Sequence, residues 1–117
     1  MRFGGWEGLS WDQIVAANPG LDAASATSPR DYRPQDGESF DELCERVRRA
    51  VARIEALAAD GATVLVATHA GPLHALLTVL LTESERAALA VRFATASLTR
   101  FRRSGGVWTL SRLNQTA

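Results

Sequence analysis

The chain has 117 residues, 46% hydrophobic and 22% charged, and its 13 basic residues, all arginine, balance 13 acidic ones. This length fits one domain, and zero net charge argues against a broad electrostatic grip on nucleic acid or on an anionic membrane. One cysteine, Cys44, cannot form an internal disulfide, and no apolar run approaches the length of a membrane span. We therefore expect a cytoplasmic protein.

The first predicted element is a short helix. Ser10 and Gln13 have the spacing of a capping box, and the helix should run to about Ala17 before Asn18-Pro19-Gly20 ends it. Residues 21–37 are rich in small and polar side chains and show no periodicity. A loop of that length in a compact domain is more typical of a lid or substrate loop than of a plain connection.

A second capping box, Ser39 with Glu42, opens the strongest helix, which should end at Asp60-Gly61. Its apolar residues recur at steps of three and four, which predicts one buried stripe and one charged face. The stripe consists of Phe40, Leu43, Cys44, Val47, Ala50, Val51, Ile54, Leu57 and Ala58.

The remaining segments predict an α/β domain. The apolar run Thr63–Thr68 is typical of a strand buried on both faces of a parallel sheet, and Pro72 should start the helix after it. That helix carries a core stripe of Leu73, Leu76, Leu77 and Leu80. A third capping box, Thr82 to Glu85, predicts a short helix to about Leu89. Strands at Ala96–Arg103 and Val107–Leu113, joined by the turn Ser104-Gly105-Gly106, should complete the chain.

His69 is the candidate functional residue, because it follows the predicted strand and precedes Ala70, Gly71 and the next helix. Ligands of parallel sheets bind at the carboxyl ends of strands, and a helix N-terminus there favours an anion such as phosphate. The spacing alone supports a core histidine equally well. His74 lies within the helix, and we expect it to be structural.

Three segments in order resemble the histidine phosphatase superfamily, which includes cofactor-dependent phosphoglycerate mutases and α-ribazole phosphatases. Phe3-Gly4-Gly5-Trp6-Glu7-Gly8 is similar to its "fGxWEG" block. Pro34-Gln35-Asp36-Gly37-Glu38-Ser39, followed by Arg46, is similar to its "PxxGES" segment. The run from Val64 to Pro72, with His69 near its end, resembles its "vlvVsHgg" strand and turn. The resemblance covers essentially the whole chain.

The resemblance implies a three-layer α/β/α, phosphoglycerate-mutase-like fold and phosphoryl transfer through a phosphohistidine. Family members use a histidine from an Arg-His-Gly motif as nucleophile, and a second histidine helps to bind the phosphoryl group. That second histidine falls on His69, with Ala70 and Gly71 as further phosphate-binding residues and Trp6 at the substrate pocket. No metal and no cofactor are implied. Glu38 and Arg46 would pair structurally.

The sequence contains no Arg-His-Gly motif. Because the family's sheet has the strand order 3-2-4-1-5-6, the His69 strand would lie between strands that residues 1–117 do not supply. We therefore expect a partial, C-terminal portion of the domain. Such a chain should be unstable, self-associate, or pair with the missing N-terminal segment.

Two functions remain open on the sequence. One is hydrolysis or transfer of a phosphoryl group on a small phosphorylated metabolite, with this chain inactive until a nucleophile is supplied. The other is a non-catalytic module of the same fold that binds inorganic phosphate or another anion, or that binds another protein. Whether the chain by itself is an enzyme is left undecided, and an unrelated α/β domain is the weakest alternative.

Overall fold

A computed structural model describes residues 1–21, 33–59, 61–81 and 85–116 as a mixed α/β structure. A single 3-10 turn, Gly4–Trp6, precedes the regular elements. The helices are α1 (Trp11–Ala17), α2 (Phe40–Leu57), α3 (Ala70–Leu81) and α4 (Glu85–Ala90), and the strands are β1 (Leu98–Ser104) and β2 (Val107–Gln115). No helix within the described ranges has both the length and the apolar character needed to cross a membrane.

The two predicted capping boxes that lie in described residues are both observed. The Ser10 hydroxyl accepts from the Gln13 N–H, and the Gln13 side chain accepts from the Ser10 N–H in return. Ser39 and Glu42 make the same reciprocal pair at the start of α2. Each box satisfies backbone donors that the first helical turn leaves unpaired.

The main core lies between α2 and α3. Phe40, Leu43, Cys44 and Val47 of α2 are buried against Ala75 of α3. Met1, Val51, Leu76 and Val79 pack around this cluster. The predicted stripe of α2 is therefore buried over its first half, whereas Leu57 at the helix end is 81% exposed.

The predicted strand Thr63–Thr68 is not observed. Residues 62–69 belong to no helix or strand, and Val64, Leu65 and Val66 are all exposed, Leu65 by 83%. A strand requires a hydrogen-bonded neighbour, and the described residues supply none beside this segment. The pattern that predicts a buried strand therefore has no strand partner among the described residues.

Helix α3 begins earlier than predicted and buries the predicted stripe only in part, together with Ala75. It starts at Ala70 rather than Pro72, so Pro72 lies in the first turn, where its missing N–H still removes no intrahelical bond. Leu77 is buried as expected, but Ala75 is the other buried residue, and Leu73 and Leu80 are half-buried.

The C-terminal hairpin is confirmed, although β1 starts at Leu98 rather than Ala96 and ends at Ser104, and β2 extends to Gln115 rather than Leu113. β1 and β2 pair antiparallel with Phe101 opposite Leu110 and Ser104 opposite Val107. Gly105 and Gly106 form the two-residue turn at φ of 55° and 81°. Both angles are positive, as the type I′ turn of a tight hairpin requires, and glycine adopts them without steric cost.

Two predictions lie wholly or largely outside the described residues. The proposed lid or substrate loop, 21–37, is described only at Leu21 and from residue 33 onward. The third capping box includes Thr82, which is not described, although α4 follows it as expected. Helix α2 ends at Leu57 with Ala58 as its C-cap, earlier than the predicted stop at Asp60-Gly61, so Gly61, although its φ is 79°, does not terminate the helix.

Candidate functional site

The first two sequence blocks are joined directly through their backbones. The Gly5 N–H donates to the Gln35 carbonyl at 2.8 Å, and the Glu38 N–H donates to the Arg2 carbonyl at 2.9 Å. Gly4 has a φ of +52°, and a Cβ there would lie 2.2 Å from the Gln35 oxygen. Glycine is therefore required at position 4, because another residue would be strained at this φ and its Cβ would clash with the Gln35 backbone. We did not predict this contact, although adjacent glycines before a tryptophan were a signal for it.

A buried carboxylate reinforces this joint. Glu38 is 2% exposed and accepts two hydrogen bonds from the Arg46 guanidinium, at 2.8 and 2.9 Å, and one from the Arg2 N–H at 3.3 Å. The Arg46 hydrogen bonds, opposed by burial, hold the pKa of Glu38 below its usual value. The predicted Glu38–Arg46 pair is confirmed, and it fixes residues 34–38 to α2.

His69 lies at the exposed N-terminus of α3. Its carbonyl accepts from the Leu73 N–H at 3.2 Å, which places it at the N-cap, and its side chain is exposed. The N–H groups of Ala70 and Gly71 have no intrahelical acceptor, because they belong to the first helical turn. An exposed imidazole therefore stands beside two outward N–H donors and the positive end of a helix dipole.

Trp6 is placed in the core rather than at an open surface. It is 8% exposed and packs with Ile14 and Leu21 in a cluster separate from the α2–α3 core. That burial leaves little of the indole surface for a ligand within the described residues. The proposed role of Trp6 at the substrate pocket stays a prediction.

His74 has structural contacts, as expected. Its Nε2 lies 2.9 Å from the Val91 carbonyl oxygen, and its ring packs at a tilt on Phe93 with centroids 5.1 Å apart. Nε2 must carry a proton to donate this hydrogen bond. The contacts attach α3 to the segment that leads into β1.

The packing of α2 on α3 brings the third sequence block to the other two. Leu43 lies at the centre of that packing and faces Gly71, where an added Cβ would be 4.0 Å from a Leu43 methyl carbon. The helix that begins with the Ser39 cap thus supports the helix that follows His69.

Among the described residues, no group of three His, Cys, Asp or Glu side chains is arranged to hold a metal ion.

The sequence model of the histidine phosphatase superfamily (branch 1) matches residues 1–116, and the chain belongs to this superfamily. The solved structure of Bacillus stearothermophilus YhfR shares its fold, with a TM-score of 0.82 and 24% sequence identity. The alignment covers 99% of this chain and 57% of that one.

Curated relatives match a shorter stretch. The bifunctional protein Rv2228c of Mycobacterium tuberculosis is 39% identical over 79 residues, which is 68% of this chain and 21% of that protein. The uncharacterized protein Mb2253c of Mycobacterium bovis matches to the same extent. The chain thus spans about a fifth of the length of these relatives. That it represents the C-terminal portion of the domain stays a prediction.

Proposed function

We propose that this chain contributes the His69 side of a phosphate pocket to a phosphatase or mutase acting on a small phosphorylated metabolite. The observation that carries the proposal is the exposed His69 at the N-terminus of α3, in a chain of the histidine phosphatase superfamily. Together the imidazole and the backbone donors of Ala70 and Gly71 suit a phosphoryl group, whose negative charge is spread over several oxygens.

The covalent step needs a nucleophile that this sequence does not contain. Its only histidines are His69 and His74, and His74 donates to the Val91 carbonyl. In the proposed reaction, a histidine of an Arg-His-Gly segment attacks phosphorus and displaces the leaving oxygen, and water or a second substrate then accepts the phosphoryl group. His69 would bind the transferring group throughout, without itself forming a bond to phosphorus.

The exposed run before His69 supports pairing with a further polypeptide segment. Val64, Leu65 and Val66 expose apolar surface, and among described residues the backbone of residues 63–68 makes no backbone hydrogen bond. The YhfR chain is longer than the part of it that this chain matches. We propose that strands carrying the nucleophile cover this run and complete the pocket.

Phosphate binding tests the role of His69. Inorganic phosphate titrated into the chain and followed by calorimetry should bind about tenfold more weakly to His69→Ala, since a hydrogen bond to a charged group is lost. His74→Gln, which retains a donor for the Val91 carbonyl, is the matched control and should bind phosphate like the unchanged chain. Equal affinity in the chain and in His69→Ala would remove His69 from the pocket.

The second candidate function is a non-catalytic anion-binding module, in which the exposed His69 and the N–H groups of Ala70 and Gly71 bind an anion without turnover. Hydrolysis of an aryl phosphate distinguishes the two. A version joined to an Arg-His-Gly segment of the family should hydrolyse the ester and trap phosphate on histidine. Phosphate binding without turnover in that version supports the non-catalytic module.

A further inference from the structure

One face of the C-terminal hairpin is basic and turned away from the helices. Arg103 and Trp108 lie on the inner face, where both contact the Glu55 carboxylate of α2, at 3.1 and 3.2 Å. Because side chains alternate between the faces of a strand, Arg100 and Arg102 lie on the opposite, outer face. Both are exposed there.

The outer face brings like charges together without a counter-charge. Arg100 pairs directly with Arg112 across the ladder, a position where side chains lie about 5 Å apart and like charges destabilise the pair. Among the described residues, no ion pair is formed by Arg100, Arg102 or Arg112. Arg112 donates instead to the Gln115 side chain at 3.1 Å.

The sequence provides no local means of neutralising this face. From Val91 to the last residue the chain has five arginines and no aspartate or glutamate, although its total charge is zero. The hairpin is therefore the positive end of a chain whose acidic residues all precede it. Charge asymmetry of this kind is typical of a surface that meets an anionic partner.

The ladder is irregular at this pair. Register shifts occur on both sides of Arg100 and Arg112, and Asn114 next to them has a φ of +52°. Such bulges re-aim side chains and are frequent beside functional sites. Around the pair lies a shallow, open depression of about 390 Å³, lined by Leu98, Arg100, Arg112, Gln115 and Thr116.

We propose that this outer face, defined by Arg100, Arg102 and Arg112, docks an extended acidic segment of another polypeptide. Each guanidinium can bind a carboxylate through two parallel hydrogen bonds. Alternate side chains of an extended peptide lie about 6.7 Å apart, which is also the spacing from Arg100 to Arg102 along β1. A segment with acidic residues at every second position therefore matches this face.

Other anions fit the face less well. Small molecules bind in concave, largely enclosed pockets, whereas this depression is open. Single-stranded nucleic acid needs aromatic platforms, and the hairpin's Trp108 is directed to the inner face, toward Glu55. Three arginines also supply fewer contacts than the roughly six to ten phosphate contacts of strong nucleic-acid binders. The docking surface is independent of the proposed phosphate pocket.

The test uses the full chain and a labelled, end-blocked peptide of alternating Glu and Thr, followed by fluorescence anisotropy. Arg100→Gln with Arg112→Gln should weaken binding about tenfold, as expected for two exposed ion pairs. Raising the salt from about 0.05 M to about 1 M should abolish binding by the unchanged chain. Arg48→Gln with Arg49→Gln, two exposed arginines of α2, is the matched control and should bind normally.

Two further measurements show whether weaker peptide binding comes from the lost arginines or from a loss of the fold. The melting temperature of Arg112→Thr should equal or exceed that of the unchanged chain, because like-charge repulsion is relieved. Arg102→Gln, which faces Thr109 rather than an arginine, should weaken peptide binding with the fold retained. Unchanged peptide binding in the Arg100/Arg112 variant would overturn the proposal. Tighter binding of a mixed-sequence, single-stranded DNA of equal charge would overturn it as well.

Discussion

At the scale of single residues, Glu38 connects two separate parts of the sequence. A carboxylate that is 2% exposed is stable as an anion only if charged or polar donors replace the lost water. Glu38 has such donors in the Arg46 guanidinium and the Arg2 N–H. The same pairing raises the pKa of Arg46 and lowers that of Glu38, so both groups are held in their charged forms.

Replacing Glu38 by Gln should lower the free energy of unfolding at neutral pH by about 2 kcal/mol, because the carboxylate charge that pairs with the Arg46 guanidinium is lost. The pKa of Glu38 is lower in the folded than in the unfolded chain, where it is about 4.3. Its stabilising contribution is therefore complete above that value and is lost as the pH falls through the folded-state pKa. Urea unfolding at pH 7 and at pH 3 should show the variant's deficit shrinking in acid.

Glu45→Gln is the control for that prediction. Among the described residues, the exposed Glu45 pairs only with the exposed Arg48 and Arg49 on its own helix, so its loss should cost less than about 0.5 kcal/mol. Equal costs for the two variants, or a Glu38→Gln deficit that grows in acid, would contradict the stabilising role of the buried pair.

At the scale of elements, helix α2 has two halves with different environments. Leu43 is fully buried against α3, and Leu57 is 81% exposed. Leu43→Ala should lower the free energy of unfolding by about 2–5 kcal/mol, since it leaves a cavity in the core. Leu57→Ala makes the same chemical change in the same helix and should cost less than about 0.5 kcal/mol. Thermal unfolding of both variants measures the difference, and similar losses would mean that Leu57 is covered in solution.

Local signals predicted the elements that local interactions define. The capping boxes at Ser10 and Ser39 and the Gly105-Gly106 turn require only nearby residues, and all three are found. The Thr63–Thr68 strand failed because a strand exists only beside a partner, and no pattern within those residues supplies one. The Gly4–Gln35 contact was only half predictable, since adjacent glycines signal a close backbone approach but nothing in the sequence identifies Gln35 as the partner.

The candidate site also contains both kinds of feature: one that local sequence signals predict and one that depends on distant packing. The position of His69 at a helix N-terminus followed from Gly71 and Pro72, which predict a turn and a helix start. The burial of Trp6 against Ile14 and Leu21 did not follow, because it depends on where α1 packs. Sequence therefore indicated that His69 precedes a helix, but not that its side chain is exposed, nor that the Trp6 side chain is buried.

At the scale of the whole molecule, the exposed apolar run Val64–Val66 is the surface whose burial should be most favourable. Apolar side chains beside unpaired backbone form a template for strand pairing between chains. The apparent mass in sedimentation should therefore rise with concentration. Leu65→Pro, which removes a backbone donor and blocks pairing, should restore the monomer. Leu57→Glu removes equally exposed apolar surface from a helix end and should leave association unchanged, because helix α2 offers no unpaired strand backbone. Monomers at all concentrations, or equal suppression by both variants, would exclude strand pairing through this run.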